Sequence, residues 1–373
     1  MDVVLLIGSL AVILVGAELF TNGIEWFGHR LNLAEGAVGS VLAAVATAMP
    51  ETLIPLIAIL GPIIAGSSGE VHSAEVGVGA ILGAPFMLST LAMFVTGTGV
   101  ILFARRGRRS TDLHVNVTVL GRDVGYFLAA YAIAIGAAFL PAPIHWLKWP
   151  VAVLLLVLYV VYVRAHFADP AGESEAGDLN RLHVTRLPLM RGPHTLDLDL
   201  VPGEDDSWEA SGEVPRLRII VLQVVLALAA IILGAQGFVG AVEHLSTVIG
   251  LDPRILALVI APIATELPEK ANSLLWVRTG KDTLAMGNIT GAMVFQSCIP
   301  TVIGILFTEW VFGAESALSF ASAGAAFAAT LIIFGVMHRV RRLSAWVLLV
   351  GGPIYAAYIV AALTLPVVAT GVH

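Results

Sequence analysis

The sequence predicts an all-α polytopic membrane protein, ten transmembrane helices forming two inverted five-helix repeats. Three observations predict it. Hydrophobic residues make up 58% of the 373 residues and charged residues only 13%, where a soluble domain carries about 25% charged residues. Ten apolar runs have the length, about 20 residues, that a helix needs to cross a bilayer. A polar motif in the second run returns in the seventh with its neighbours in register. The net charge of −7 says little about partners, because 11 of the 27 acidic residues sit in one loop. The lipid bilayer and inorganic cations are the expected partners, nucleic acid is not, and a homo-oligomer stays open.

In chain order the ten runs cover 3–27, 33–65, 76–104, 124–141, 146–164, 217–241, 253–277, 283–312, 316–337 and 343–367. The first begins at Val3 with no basic leader and no small-residue cleavage site. It therefore reads as a span rather than a signal peptide. Prolines interrupt the second (Pro50, Pro55, Pro62) and the seventh (Pro262, Pro268). The third and eighth carry Gly79, Gly83, Gly287 and Gly291 at small-xxx-small spacing, which predicts close approach of those two spans. The eighth holds Cys298, the single cysteine, so neither an internal disulfide nor a cysteine metal cluster can form.

The stretch from Glu51 to Gly79, which includes the loop between the second and third spans, is ten residues longer than its mate from Glu269 to Gly287, and the loop carries Glu70, His72 and Glu75. It reads as a solvated loop, with an outer cation vestibule as the alternative. The polar stretch 165–216 divides the chain into a first repeat, 1–164, and a second, 217–373. Its prolines, glycines and acidic cluster Glu204-Asp205-Asp206-Ser207-Trp208-Glu209 suit a solvated linker. A regulatory cation role is the sharper reading, without EF-hand spacing to support it.

Basic residues orient the chain. With ten spans, all of the 20 Lys and Arg except Lys148, Arg254 and Lys270 fall on one side. Lys270 lies within a span and the other two fall opposite. That asymmetry predicts cytoplasmic placement of the linker and external placement of both termini.

At an offset of 218, residues 16–51 align without a gap to 234–269. Identical pairs include Gly16/Gly234, Phe20/Phe238, Glu25/Glu243, Thr47/Thr265, Pro50/Pro268 and Glu51/Glu269. Apolar composition yields chance Ala and Val matches, but not a shared Thr-x-x-Pro-Glu. Gly79-Ala80-Ile81-Leu82-Gly83-Ala84 then mirrors Gly287-Asn288-Ile289-Thr290-Gly291-Ala292. An odd number of spans per half makes the halves run in opposite directions, the inverted repeat of secondary transporters.

The repeated motif carries the chemistry. Thr47 and Glu51, and again Thr265 and Glu269, are four residues apart and share a helix face. Proline has no N–H, so Pro50 frees the carbonyl of Ala46 and Pro268 that of Ala264. Freed carbonyls in a membrane need a partner, and a bound cation can serve. Carboxylates, hydroxyls and carbonyls are hard oxygen ligands that suit Ca²⁺ or Na⁺. A single intramembrane glutamate could instead pair with Arg or Lys, but symmetric recurrence argues for a paired site. No His-Glu-x-x-His or Gly-x-Ser-x-Gly is present, so an enzyme is disfavoured.

At these residues the chain resembles the cation/calcium exchanger superfamily, especially its prokaryotic Na⁺/Ca²⁺ exchanger-like members. Their repeats read like G-T-S-x-P-E and then G-N-x-x-G-S-N. The resemblance implies a prokaryotic plasma-membrane antiporter with no cofactor, moving Ca²⁺ against Na⁺, with H⁺ as the alternative counter-ion. It also implies an ion site built from the second, third, seventh and eighth spans, with Glu51 and Glu269 as the metal-binding carboxylates beside Thr47 and Thr265. First and sixth spans would slide to expose it alternately. Departures fall at Ala48, Glu266, Ala84, Ala292, Leu88 and Gln296, where the family carries other polar residues or, at Glu266, serine. Gln296 remains an ion-binding candidate. Glu266 is either a ligand or the i,i+4 partner of Lys270. The losses suggest weakened Na⁺ coupling with protons as substitutes, or a degenerate transporter acting as scaffold or sensor.

Overall fold

The computed structural model describes residues 2–30, 49–65, 71–167, 216–278, 280–314 and 316–364. The helices are α1 (Asp2–Arg30), α2 (Met49–Ala65), α3 (Val71–Met87), α4 (Met93–Arg105), α5 (Val117–Gly136), α6 (Lys148–Phe167), α7 (Leu217–Ile249), α8 (Pro253–Arg278), α9 (Asp282–Phe307), α10 (Ala317–Val340), α11 (Ala345–Leu348) and α12 (Gly351–Thr364). A π-turn at Leu88–Ala92 joins α3 to α4 as one span, and α11 and α12 share another. Among the described residues, eight helices are long and apolar enough to cross a membrane. Shorter apolar stretches, Glu51–Ile64 and Pro253–Ile263, take the second and seventh places. The fold is thus the all-helical, ten-helix membrane fold expected. The linker segment 168–215, with its acidic cluster, lies outside the described residues.

The inverted repeat is visible where α1 packs on α7. A Cβ on Gly16 would meet Ile231 Cγ1 at 2.8 Å and Ala227 O at 3.2 Å. A Cβ on Gly234 would meet Ile13 Cγ1 at 2.8 Å and Ser9 O at 3.0 Å. Ile13/Ile231 and Ser9/Ala227 are themselves mates at the repeat offset of 218. The contact is therefore its own image, as in an isologous interface. The helices are antiparallel, since Gly23 lies against Val224 while Gly237 lies against Ser9. Gln223 ties them further, its Nε2 donating to Leu19 O at 2.8 Å and to Asn22 Oδ1 at 3.0 Å.

Contacts between loops and helix ends sort into two rims, as ten alternating spans require. On one rim Asp112–Leu113 pairs antiparallel with Leu343–Ser344. There Arg109 grips Asp282 through two 2.7 Å bonds, and Arg122 donates to Ala165 O at 3.2 Å. On the other rim Arg254 meets Glu75 at 3.1 Å, Ser73 donates to Glu243 at 2.5 Å, and Phe312 N donates to Ala138 O at 2.8 Å. None of these contacts joins loops of opposite parity.

Several boundaries differ from expectation for local reasons. The fourth span starts at Val117, not 124, because Asn116 caps it by accepting from Thr118 N and Val119 N. Arg122 and Asp123 therefore sit inside a helix. The sixth runs to Ile249 and stops at Gly250, whose φ of 69° is left-handed. The loop expected to hold His72 and Glu75 is already helix α3, and Glu75 is held by Arg254 rather than solvated; Glu70 lies outside the described residues.

The small-residue reading needs a correction of partner. Gly79 and Gly83 press against the seventh span, not the eighth: a Cβ would come 2.1 Å from Arg254 O and 2.2 Å from Leu258 O. Of the eighth-span glycines, Gly291 faces Tyr162 OH, and no described atom lies within 4 Å of a Cβ on Gly287.

Candidate cation site

The site is assembled around breaks in two helices. In α2, Pro55 cannot donate to the carbonyl four residues back, which is that of Glu51. In α8, Pro262 leaves the carbonyl of Leu258 without its helical donor. Gly83 lets that freed carbonyl lie directly on α3. A side chain at Gly83 would push α3 and α8 apart at the level of the pocket.

That pocket lies between α2, α3 and α8. Its walls are Glu51 and Ile54, Ala80 and Ala84, and Ala261, Pro262 and Thr265. Each helix contributes residues three or four apart, so each presents one face. The space open to the centre of a water-sized sphere is about 10 Å³, about enough for a single water molecule. Glu51 is 7% exposed and Thr265 2%. A carboxylate removed from water this far needs a counter-charge or a proton.

Thr265 presents an acceptor oxygen. Its Oγ1 donates to Ala261 O at 3.0 Å. The hydroxyl proton is thus turned into its own helix, leaving the oxygen lone pairs as acceptors toward the pocket. With Glu51 it supplies two hard oxygen groups from opposite repeats, matching Ca²⁺, Na⁺ or a proton.

The other expected ligands distribute as follows. Glu266 is buried at 2% exposure and Gln296 at 2%, but neither lines this pocket. Glu266 follows Thr265 by one residue and so leaves the helix about 100° away. Gln296 lies on α9, where Pro300 frees its carbonyl and Thr301 Oγ1 takes it up at 2.9 Å. Ala264, Glu269 and Lys270 belong to α8, with side chains outside the described residues. Ala46 and Thr47 also lie outside them. Leu88 is fully buried at the π-turn and Ala292 packs against the core; neither reaches the pocket.

Three wall residues, Ile54, Ala80 and Ala261, carried no sequence signal of their own, and neither did the carbonyl of Leu258 that lies against Gly83. A usable signal existed for two of them. Ala261 is four residues before Thr265, and Leu258 four before Pro262.

The chain matches the family described as "Sodium/calcium exchanger protein" over residues 1–167 and 219–364. It is 24% identical over 313 residues to an Alkalimonas amylolytica protein bearing the antiporter name CaxA, covering 83% of this chain and 82% of that one. A crystal structure titled as the H⁺/Ca²⁺ exchanger CAX superposes with TM-score 0.66 at 15% identity, covering 98% of this chain and 82% of the other. A structure titled as the sodium-calcium exchanger NCX_Mj superposes with TM-score 0.53 at 16% identity, covering 98% and 99%.

Proposed function

Because this chain belongs to the sodium/calcium exchanger protein family, and is a membrane cation antiporter rather than an enzyme, we propose that it exchanges Ca²⁺ for sodium. Exchange proceeds by alternating access around the Glu51–Thr265 pocket. The observation that carries the reading is that pocket, where one carboxylate and one hydroxyl from opposite repeats meet between three helices. Glu269 and Thr47, the repeat mates of Glu51 and Thr265, complete the ligand set in this reading, with the carbonyls freed at Ala46 and Ala264. The self-matching α1–α7 pair supports sliding of those helices as the motion that exposes the site. The linker is cytoplasmic and both termini are external in this reading.

A second reading, proton coupling, is favoured by the walls themselves. Five of the seven wall residues are apolar, and Ala84 stands where the resemblance expects a serine. Such walls hold one divalent ion more readily than several separate Na⁺ ions. Two glutamates that each take up a proton would balance the charge of one Ca²⁺.

The deciding experiment is radioactive Ca²⁺ uptake into proteoliposomes at clamped voltage. One arm uses an outward Na⁺ gradient at clamped pH, the other an outward proton gradient without Na⁺. Uptake driven only by Na⁺ supports sodium exchange, and uptake driven by protons supports the second reading. No uptake under either gradient would contradict calcium exchange and favour a scaffold or sensor.

A further inference from the structure

A second buried carboxylate lies outside that pocket. Asp123 sits on α5, roughly 10 Å along the helix from its Asn116 cap, and is 1% exposed. Two hydroxyls from other helices donate to it. Thr290 Oγ1 of α9 reaches Oδ2 at 2.6 Å, and Tyr162 OH of α6 reaches Oδ1 at 3.2 Å. A carboxylate at this depth on a membrane-crossing helix is costly and marks a functional group by default.

Thr290 gives this arrangement two states. Its single hydroxyl proton has acceptors at Asp123 Oδ2, at 2.6 Å, and at Met286 O, at 3.1 Å. With Asp123 ionised, Thr290 donates to the carboxylate. With Asp123 protonated, the new O–H donates to Thr290 Oγ1, and Thr290 turns its own proton to Met286 O. Both states keep every hydroxyl proton bonded. The Thr290 and Tyr162 hydroxyl protons therefore keep an acceptor in either state.

Asp282 is the contrast. It receives Arg109 twice and His114 N, at 2.7 Å each. Those donors cannot accept, so the Asp282 contact has one hydrogen-bond arrangement where the Asp123–Thr290 contact has two.

The charged and titratable neighbours are few among the described residues. On α5 itself they are Arg122, which donates to Ala165 O and also acts electrostatically on Tyr162, Tyr126, whose ring lies against Tyr162, and Tyr131 further along. From α6 come Tyr162 and, behind it, Tyr159. On α9, Asp282 and Lys281 stand at the N-terminal end, and Cys298 lies near Tyr159. From α10, Phe327 packs on Phe127 and Tyr131 without a charge.

We propose that Asp123 is a proton-binding site separate from the Glu51 pocket, and that Thr290 relays its protonation to α9. Binding adds one proton and removes one negative charge at the α5–α9 contact. The consequence for transport rests on the exchanger reading, since α9 also carries Gln296: Asp123 would contribute to the pH dependence of flux.

Infrared difference spectroscopy of the full chain in lipid, titrated with acid, reads the protonation directly. The expected result is a protonated-carboxyl band that grows on acidification and is lost in Asp123→Asn. It should shift in Thr290→Val and return to its place in Thr290→Ser. Should Asp123→Asn fail to fold, the Thr290 pair decides alone. Bands unchanged by Asp123→Asn, or by Thr290→Val, across the pH range in which the protein stays folded would overturn the proposal. The spectroscopy needs no transport, so a wild type without flux would count against the exchanger reading and leave this result standing. In the transport arm, Asp123→Asn should flatten the pH profile while Glu51 is intact. An unchanged profile would overturn the relay.

Discussion

Replacing Gly83 with alanine should damage the site without touching a ligand. An ideal Cβ there would sit 2.2 Å from Leu258 O and 2.9 Å from the Leu258 carbonyl carbon. Both are backbone atoms, so no side-chain rotation relieves the clash. A normal carbon–oxygen approach is about 3.3 Å or more, which requires α3 and α8 to part by roughly 1 Å. Overpacking of this kind costs about 1–3 kcal/mol, and an unyielding backbone puts Gly83→Ala toward the upper end. Intrinsic helix propensity works the other way by about 1 kcal/mol. The net expectation is a loss of about 1–2 kcal/mol, roughly tenfold in an equilibrium. Because Ala84 and Thr265 line the pocket from these two helices, Ca²⁺ affinity should fall along with thermal stability. Gly125→Ala is the control: no described atom lies within 4 Å of its Cβ, so it should gain about 1 kcal/mol from helix propensity and take up Ca²⁺ as wild type. The assay pairs a melting curve in detergent with Ca²⁺ uptake by reconstituted protein. Gly83→Ala that matches Gly125→Ala in both would refute the claim that this close approach shapes the site.

Other expectations follow from the same contacts. Arg109→Ala leaves Asp282, 1% exposed as a side chain, without its guanidinium partner and should cost about 3–5 kcal/mol in unfolding; Arg109→Leu with Asp282→Leu should cost less, read by denaturant titration. Thr265→Val removes an oxygen from the pocket and should raise the half-saturating Ca²⁺ concentration about tenfold, about 1.4 kcal/mol, whereas Thr265→Ser should retain most of the affinity. Cysteines at Ser174 and Val372, in a Cys298→Ser background, should react with impermeant reagent from inside and outside intact cells respectively; labelling of Ser174→Cys from outside would reverse the orientation.

The repeat made two of the seven wall residues legible in advance. Thr265 and Glu51 stand out because polar residues recur in register inside apolar runs, where chance supplies only Ala and Val matches. The remaining walls were hidden because Ile54, Ala80 and Ala261 are ordinary membrane-helix residues whose role comes from position alone. Gly83 shows a different limit. Small-xxx-small spacing says that a helix can be approached closely, but the neighbour is chosen by the tertiary fold. Here Pro262 supplied the freed carbonyl that fills the groove. Asp123 was hidden by its neighbour Arg122, since adjacent charges look like a loop. Its partner Thr290 is 167 residues away, and no local pattern joins them. The ten-span architecture was read correctly because it rests on long-range composition and charge parity, which survive errors of several residues at each boundary.

The central claim is that carboxylates from the two repeats hold one cation. Direct Ca²⁺ binding to purified protein, measured for wild type, Glu51→Gln, Glu269→Gln and Glu75→Gln, tests it most directly. The first two substitutions should each abolish binding at concentrations that saturate the wild type, with melting temperatures showing that both remain folded. Glu75→Gln, at the Arg254 ion pair on the rim, should bind as wild type. Wild-type binding by folded Glu51→Gln or Glu269→Gln would contradict the shared site.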